Sequence, residues 1–285
     1  MYRVFKNDGQ ESIITQKGYV VIDNLVPETV CDDLRQFYDA QTFIDDRAFT
    51  ISNWNSDLAH REAVYNRICE SLQPFAKQIL NDYKPVLGVF TAKQPKAGSD
   101  MLIHQDWSLV DEKKYRSVSI WVALCDMDRT NGNLQVAEFS HIYAGRPRGM
   151  NMQVPFENLR KEIGARHLTD VPMRKGDVIV FDHRLIHASP ENNSKELRLA
   201  AVLALIPAEA ELIHYYKYPD NDLQLELLKM REEDFRQIDF FDGPGKPKHT
   251  GIFGHVAFNA EQITLEELLQ GEEEGRQAKI LNHSI

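Results

Sequence analysis

Cysteine is scarce in this chain. Cys31, Cys69 and Cys125 are widely spaced and odd in number, so neither a disulfide framework nor a zinc knuckle follows from them. Long apolar runs are missing too, and none reaches membrane-spanning length. The opening stretch, MYRVFKNDGQESII, lacks the apolar core of a secretory signal, and the closing HSI is not a peroxisomal address. The expected setting is therefore a reducing cytoplasm, away from the membrane. Positive charge is also short: 33 Lys and Arg stand against 43 Asp and Glu, for a net charge of -10. No basic cluster is long enough to track a phosphate backbone, so nucleic acid is not expected as a partner. Internal repeats and low-complexity tracts are absent.

What is present is ample core material, with 42% hydrophobic residues over 285 positions. This suits one large domain or one domain with an elaborated cap. The segment GYVVIDNL (18–25) reads as a short strand rich in β-branched residues. Pro27 then suits the first position of a helix through PETVCDDLRQFYDAQ. A second helical pattern runs from about Ser56 to Tyr83, with Ala63, Ile68, Leu72, Phe75 and Ile79 as core candidates and Pro74 as a break or kink. From Val86 the texture becomes β-rich: VLGVFTAK, MLIHQD, SVSIWVALCD, NLQVAEF, DVIVFDH, RLIHAS and LRLAAVLALI. Turn signals such as PKAGSD, RTNGN, RKGD and PENNSK separate them. Short strands without helical crossovers predict an antiparallel sandwich or jelly roll.

Residues 146–174 read as a long insertion with a short helix at PFENLRKEIG, and long insertions in compact domains commonly act as lids. After Pro207 come ELIHYYKY, a charged helical pattern LQLELLKMREEDF, the loop FFDGPGKPKHTGIFGH and a surface helix in ITLEELLQGEEEGRQAKIL. The expected organisation is one domain: helical support over about 1–85, a β core over about 86–207 and a C-terminal cap over about 208–285.

Four separated residues carry the chemistry. His104 and Asp106 lie two apart in LIHQDW, where a strand would point both to one face. His187 ends an apolar strand, DVIVFDHRLIH. Two His and one carboxylate make the facial triad of non-heme Fe(II) sites, which leaves coordination positions open. A symmetric hairpin turning at Asn192-Asn193 would set Arg198 directly across from His187. Arg198 sits in a run apolar enough to be buried, and a buried Arg needs an anionic partner, either a protein Asp or Glu or a bound acid. A bound dicarboxylic acid fits its bidentate fork, and Ser189 shares the face and can donate to the same group. Other histidines are weaker candidates. His60 lies in a helical pattern, His183 is too far along the strand from His187 to share its ion, and His249 and His255 belong to a loop. Arg146 and Arg148 read as solvated charge on the insertion.

The blocks GYVVIDNLVPETVCDDLRQFY, IHQDW, SIWVALCDMDRTNGNLQVAEFSH and KGDVIVFDHRLIHASPENNSKELRLAAVLALIP, in that order, resemble the phytanoyl-CoA dioxygenase-like Fe(II)/2-oxoglutarate oxygenases, from about Gly18 to Pro207. The resemblance implies a double-stranded β-helix, a squashed barrel of two antiparallel sheets with flanking N-terminal helices and a C-terminal extension. It implies Fe(II), 2-oxoglutarate and O2 as cofactor and co-substrates, with His104, Asp106 and His187 on the metal and Arg198 and Ser189 on the 2-oxoglutarate carboxylate. Trp121 matches an aromatic lining the co-substrate pocket in some members, and Thr91 is expected to face that pocket. The implied activity is hydroxylation of a small metabolite or natural-product intermediate, giving succinate and CO2. Halogenating members lose the carboxylate that is present here as Asp106, so oxygen insertion is expected; desaturation and cyclisation share the same chemistry. The alternatives are a non-catalytic module binding a metal or small acid on the same barrel, and a cupin-type metalloenzyme of other chemistry. One departure stands out: Phe139 replaces the Gly of the family's G-S-H block.

Overall fold

The computed structural model describes residues 1–41, 47–150, 152–218, 220, 223–238, 246–258 and 262–282. The first part of the loop FFDGPGKPKHTGIFGH lies outside the described residues. In chain order the elements are α1 (Asp8–Lys17), β1 (Tyr19–Ile22), α2 (Glu28–Asp39), β2 (Phe49–Ile51), α3 (Leu58–Ile79), β3 (Tyr83–Lys93), β4 (Met101–His104), β5 (Val118–Ala123) and β6 (Leu134–Val136). They continue with α4 (Ser140–Tyr143), β7 (Gly149–Met150), α5 (Arg160–Arg166), β8 (Thr169–Val171), β9 (Val178–Asp182), β10 (His187–Ser189), β11 (Arg198–Pro207), β12 (Ile213–Lys217), β13 (Gln224–Lys229), α6 (Glu232–Arg236), β14 (Gly251–Ala257) and α7 (Leu265–Asn282).

Two antiparallel sheets form the body: a six-stranded one in the order β1-β9-β5-β11-β3-β2 and a four-stranded one in the order β4-β10-β6-β8. This is the double-stranded β-helix that the sequence blocks implied. Alternation along the strands explains its layers. In β11, Leu199, Ala201, Leu203 and Leu205 join a core shared with the helices, while Ala200 and Val202 face a second core between the sheets. Arg198 has the parity of Ala200, so it points between the sheets. Each large aliphatic side chain buried here contributes about 1.5–3 kcal/mol.

The helices back the larger sheet. Asp57 caps α3 by accepting from the amides of Ala59 and His60. The buried stripe is Val64, Ile68, Leu72, Ala76 and Ile79, the i, i+4 face that a helix presents to one neighbour. Ala63 is exposed and Phe75 half-buried, so the expected stripe was partly displaced. Pro74 neither ends nor breaks α3. It is exposed, so the carbonyl its ring deprives of a donor faces water.

Three further readings need correction. DVIVFDHRLIH is two strands in different sheets, β9 and β10, because Asp182 turns the chain by accepting from the Arg184 amide. His187 and Arg198 are not hairpin partners: β10 pairs with β4 and β6, while β11 pairs with β3 and β5. Asn192 organises this crossover by donating to the carbonyls of Lys93 and Glu196, at 2.9 and 2.8 Å. The charged segment LQLELLKMREEDF is not one helix; β13 occupies its first half, with ladder partners on both sides, and only α6 is helical. Ladder bonds and the burial of Leu225 and Leu228 outweigh the local helical pattern.

β13 belongs to a third sheet, β14-β13-β12-β7. Its β7–β12 pairing is parallel, Tyr215 opposite Gly149, and it ties the 146–174 insertion to the C-terminal extension. A Cβ on Gly149 would come within 2.2 Å of the Tyr215 carbonyl oxygen, so only glycine allows this approach. Phe139 takes the left-handed φ of 69° that the expected glycine would favour, at a cost of about 1–2 kcal/mol. Its ring packs against Gly275 of α7, where a Cβ would meet Phe139 Cδ1 at 2.3 Å. Among the described residues no helix is long and apolar enough to cross a membrane.

Lys93 is fully buried and donates to the carbonyls of Ser189 and Pro190 at 3.0 and 2.6 Å, which pins β3 to the end of β10. Burial first, then the nearby Arg198 charge, pushes its ammonium down to about 6 from 10.5. Between those values the unfolded chain binds more protons than the folded one, so stability rises with pH through that window. Lys93→Met is expected to flatten this rise in urea unfolding at several pH values; an unaltered slope would show that Lys93 does not titrate this way.

Candidate metal centre and anion pocket

The two histidines meet because their strands pair in register, His187 opposite His104. Their ring centroids are 4.1 Å apart. His104 Nδ1 lies 2.8 Å from the Leu102 carbonyl and His187 Nδ1 lies 3.0 Å from the Leu185 carbonyl. A carbonyl can only accept, so both Nδ1 atoms carry the proton and both Nε2 lone pairs are left to face the cavity. Burial, and then His187, push the His104 imidazole down to about 4, which keeps it neutral at pH 7 as metal binding requires.

Asp106 joins them from outside the strand. β4 ends at His104, so the shared strand face expected for His104 and Asp106 is not what brings them together. Gln105 turns inward, donating to the carbonyls of Ala144 and Arg184. Arg148 Nε donates to the Asp106 carbonyl at 2.7 Å, and its guanidinium grips Glu112 at 3.1 and 2.5 Å. Arg148 is buried, not the solvated charge expected; the insertion thus fastens the loop that carries Asp106. Asp106 Oδ1 is 4.0 Å from His104 Nε2 and 3.9 Å from His187 Nε2. Burial would raise its carboxyl, but His187, His183, His104 and Arg148 outweigh that and hold it below the usual range.

These three atoms lie within 4.8 Å of one another. Two metal–ligand bonds of about 2.0–2.2 Å span about 4 Å, so one ion fits among them. Two imidazoles and a carboxylate, with no thiolate, suit Fe(II). Each ring is also oriented by a carbonyl on its far nitrogen, the usual support of a metal-binding histidine.

Arg198 faces this group from the opposite sheet and is 2% exposed. Its Nη1 donates to Thr91 Oγ1 at 3.3 Å, its guanidinium carbon lies 5.5 Å from the Trp121 ring centre and its Nε has no partner. Burial lowers it to about 10, so it stays cationic at pH 7. Among the described residues no carboxylate pairs with it. Arg198, Thr91, Trp121 and Ser189 line one cavity of about 330 Å³ with His104, Asp106 and His187. The rest of the wall is mostly apolar and includes Phe49, Ile51, Trp54, Leu87, Trp107 and Phe235.

The sequence reading missed three side chains at this site. Arg148 looked like surface charge. His183 and Ser119 both line the cavity; His183 was set aside on the premise of one continuous strand. The Asx turn at Asp182 was the available signal that the strand stops there. His255 lies in the third sheet beside Glu226, at 3.5 Å, and takes no part in this group.

The model of the phytanoyl-CoA dioxygenase family (PhyH) matches residues 14–200. The chain is 25% identical over 222 residues to phytanoyl-CoA dioxygenase domain-containing protein 1 of Danio rerio, covering 72% of this chain and 74% of that one. It is 27% identical over 126 residues to phytanoyl-CoA dioxygenase 1 of Oryza sativa subsp. japonica, covering 44% and 45%. The chain thus spans under half of that rice relative. Among solved structures it is similar to HygX from Streptomyces hygroscopicus with nickel, 2-oxoglutarate and hygromycin B bound, with a TM-score of 0.55, 16% identity and coverage of 76% and 92%. The epimerase SnoN in complex with Fe3+, alpha ketoglutarate and nogalamycin RO gives a TM-score of 0.52, 16% identity and coverage of 72% and 85%. At such identity these two likenesses concern the fold.

Proposed function

The chain belongs to the phytanoyl-CoA dioxygenase family, and from that membership we propose that it is an Fe(II)- and 2-oxoglutarate-dependent dioxygenase that hydroxylates an unactivated C–H bond of a small metabolite or natural-product intermediate. One observation carries the reading: a fully buried, cationic Arg198, with no carboxylate partner among the described residues, shares a cavity with His104, Asp106 and His187. A buried charge without a partner is costly, and a dicarboxylic acid reaching from the metal to Arg198 supplies the missing anion.

His104 Nε2, Asp106 Oδ1 and His187 Nε2 hold the iron. Arg198 takes the far carboxylate of 2-oxoglutarate, with Trp121 over its guanidinium, Thr91 orienting it and Ser189 donating a further hydrogen bond. Bound iron and 2-oxoglutarate together supply the oxidising chemistry: O2 and the 2-oxo acid give succinate, CO2 and one oxygen atom for the substrate. The protein's part is orientation and exclusion of water. Phe49, Ile51, Trp54, Leu87, Trp107 and Phe235 give the remaining space an apolar wall, which favours a substrate that presents an uncharged, apolar portion to the iron.

The test is anaerobic loading with Fe(II) followed by titration with 2-oxoglutarate. A weak visible charge-transfer band is expected, saturating with 2-oxoglutarate and lost in His187→Ala. Bound iron without a band would point to other chemistry on this barrel.

A further inference from the structure

We infer that Ser119 and His183 form a positioning pair that holds the outer oxygen of Asp106, leaving its inner oxygen alone to meet the metal. The inference rests on the metal site proposed above and concerns residues assigned no part in it. The two oxygens of Asp106 have different surroundings. Oδ1 is the atom near both imidazole Nε2 atoms. Oδ2 lies 3.4 Å from Ser119 Oγ and 3.8 Å from His183 Nε2, and those two atoms are 3.0 Å apart. Ser119 and His183 are 2% and 1% exposed, so the pair itself is shielded from water, while the Asp106 side chain is 31% exposed.

Both come from the larger sheet, opposite the strands that carry His104 and His187. Ser119 is on β5, and His183 directly follows β9, its amide donating to the Ser117 carbonyl at 3.1 Å. The hydrogen-bond order follows from the donors available. Ser119 has one hydroxyl hydrogen, and its best use is the charge-assisted bond to Asp106 Oδ2. The hydroxyl oxygen then accepts from His183 Nε2, so His183 carries its proton on Nε2 and its buried Nδ1 is left without a partner. His104 and His187 hold theirs on Nδ1. The third histidine of the cavity is therefore a donor toward the carboxylate, while the other two offer lone pairs. A carboxylate gripped on one oxygen binds an ion through the other alone and keeps the remaining metal positions open.

The experiment is anaerobic Co(II) titration, followed by calorimetry and by the visible spectrum, of the wild-type chain, His183→Leu, His183→Gln and Ser119→Ala. Metal-free thermal midpoints serve as the folding control. His183→Leu and Ser119→Ala are expected to weaken Co(II) binding about 10–100-fold and to alter the spectrum, while His183→Gln, which keeps an N–H donor, stays within about threefold of wild type. A variant combining His183→Leu with Ser119→Ala should lose no more than the worse single one, because the two act in series, and additive losses would overturn that order. Unchanged affinity and spectrum in His183→Leu and Ser119→Ala would overturn the inference and leave the metal site standing. Equal losses in the Gln and Leu variants would also overturn it. Wild-type Co(II) binding that survives His104→Ala would instead sink the metal site itself. Should His183→Leu fail to fold, Ser119→Ala, the smaller change, decides alone.

Discussion

His187→Ala is expected to remove iron binding and turnover together. His187 Nε2 is one of the two nitrogen atoms among the three atoms that lie within 4.8 Å of one another, and no other described residue replaces it. His183 Nε2 is engaged with Ser119 at 3.0 Å and faces the outer oxygen of Asp106, not the inner one that meets the two imidazoles. Even a supporting partner of a metal ligand costs about 10–100-fold when lost; deletion of a ligand should exceed that in both metal affinity and succinate formation. The fold should survive, because among the described residues the His187 side chain has few ties: its Nδ1 bond to Leu185, its ring contacts with His104 and Phe181, and its approach to Asp106. Iron content after dialysis, with succinate release as the second readout, checks this. A variant that kept one equivalent of iron and wild-type turnover would remove His187 from the metal site.

Much of this centre is legible in the chain because its parts are chemically expensive. A guanidinium inside LRLAAVLALI demands a partner, and the ordered blocks around His104 and His187 fix which partner chemistry to expect. The path by which the parts meet is not legible. A β ladder between distant strands leaves no periodic trace of its register, so a symmetric hairpin at Asn192-Asn193 looked sufficient. In fact His187 and Arg198 face each other from opposite sheets. The same holds for Asp106, placed by an Arg148 bond to its own carbonyl and not by strand alternation. A backbone acceptor can belong to any residue, so no pattern announces it. LQLELLKMREEDF failed for the opposite reason: its local helical pattern is real, but ladder partners on both sides of β13 supply what an isolated segment lacks.

Arg198→Leu separates anion binding from metal binding. The substitution removes the cation that faces the far end of the proposed 2-oxoglutarate and leaves His104, Asp106 and His187 untouched. Truncating one member of a buried charge pair costs about 2–5 kcal/mol. At about 1.4 kcal/mol per tenfold, the 2-oxoglutarate requirement should rise by about 30-fold to several thousand-fold. Iron affinity without 2-oxoglutarate should hold near wild type, because the metal group lies on β4, β10 and the loop that follows β4, not on β11. Stability should respond in the opposite direction. Without ligand, wild-type Arg198 is a buried cation whose Nε is unpaired among the described residues and whose Nη1 donates to Thr91. Leucine in that place, beside Ala200 and Trp121 in the inter-sheet core, removes the cost of burying the charge. The thermal midpoint of the ligand-free variant should therefore equal or exceed that of wild type, and the rise that saturating 2-oxoglutarate gives the iron-loaded wild type should disappear. Arg198→Lys should not restore tight binding, since an ammonium cannot reproduce the bidentate fork. Those two opposed shifts, weaker co-substrate binding with no loss of stability, are what a binding role predicts. A destabilised variant with an unchanged 2-oxoglutarate requirement would make Arg198 a structural residue and place the anion elsewhere in the cavity.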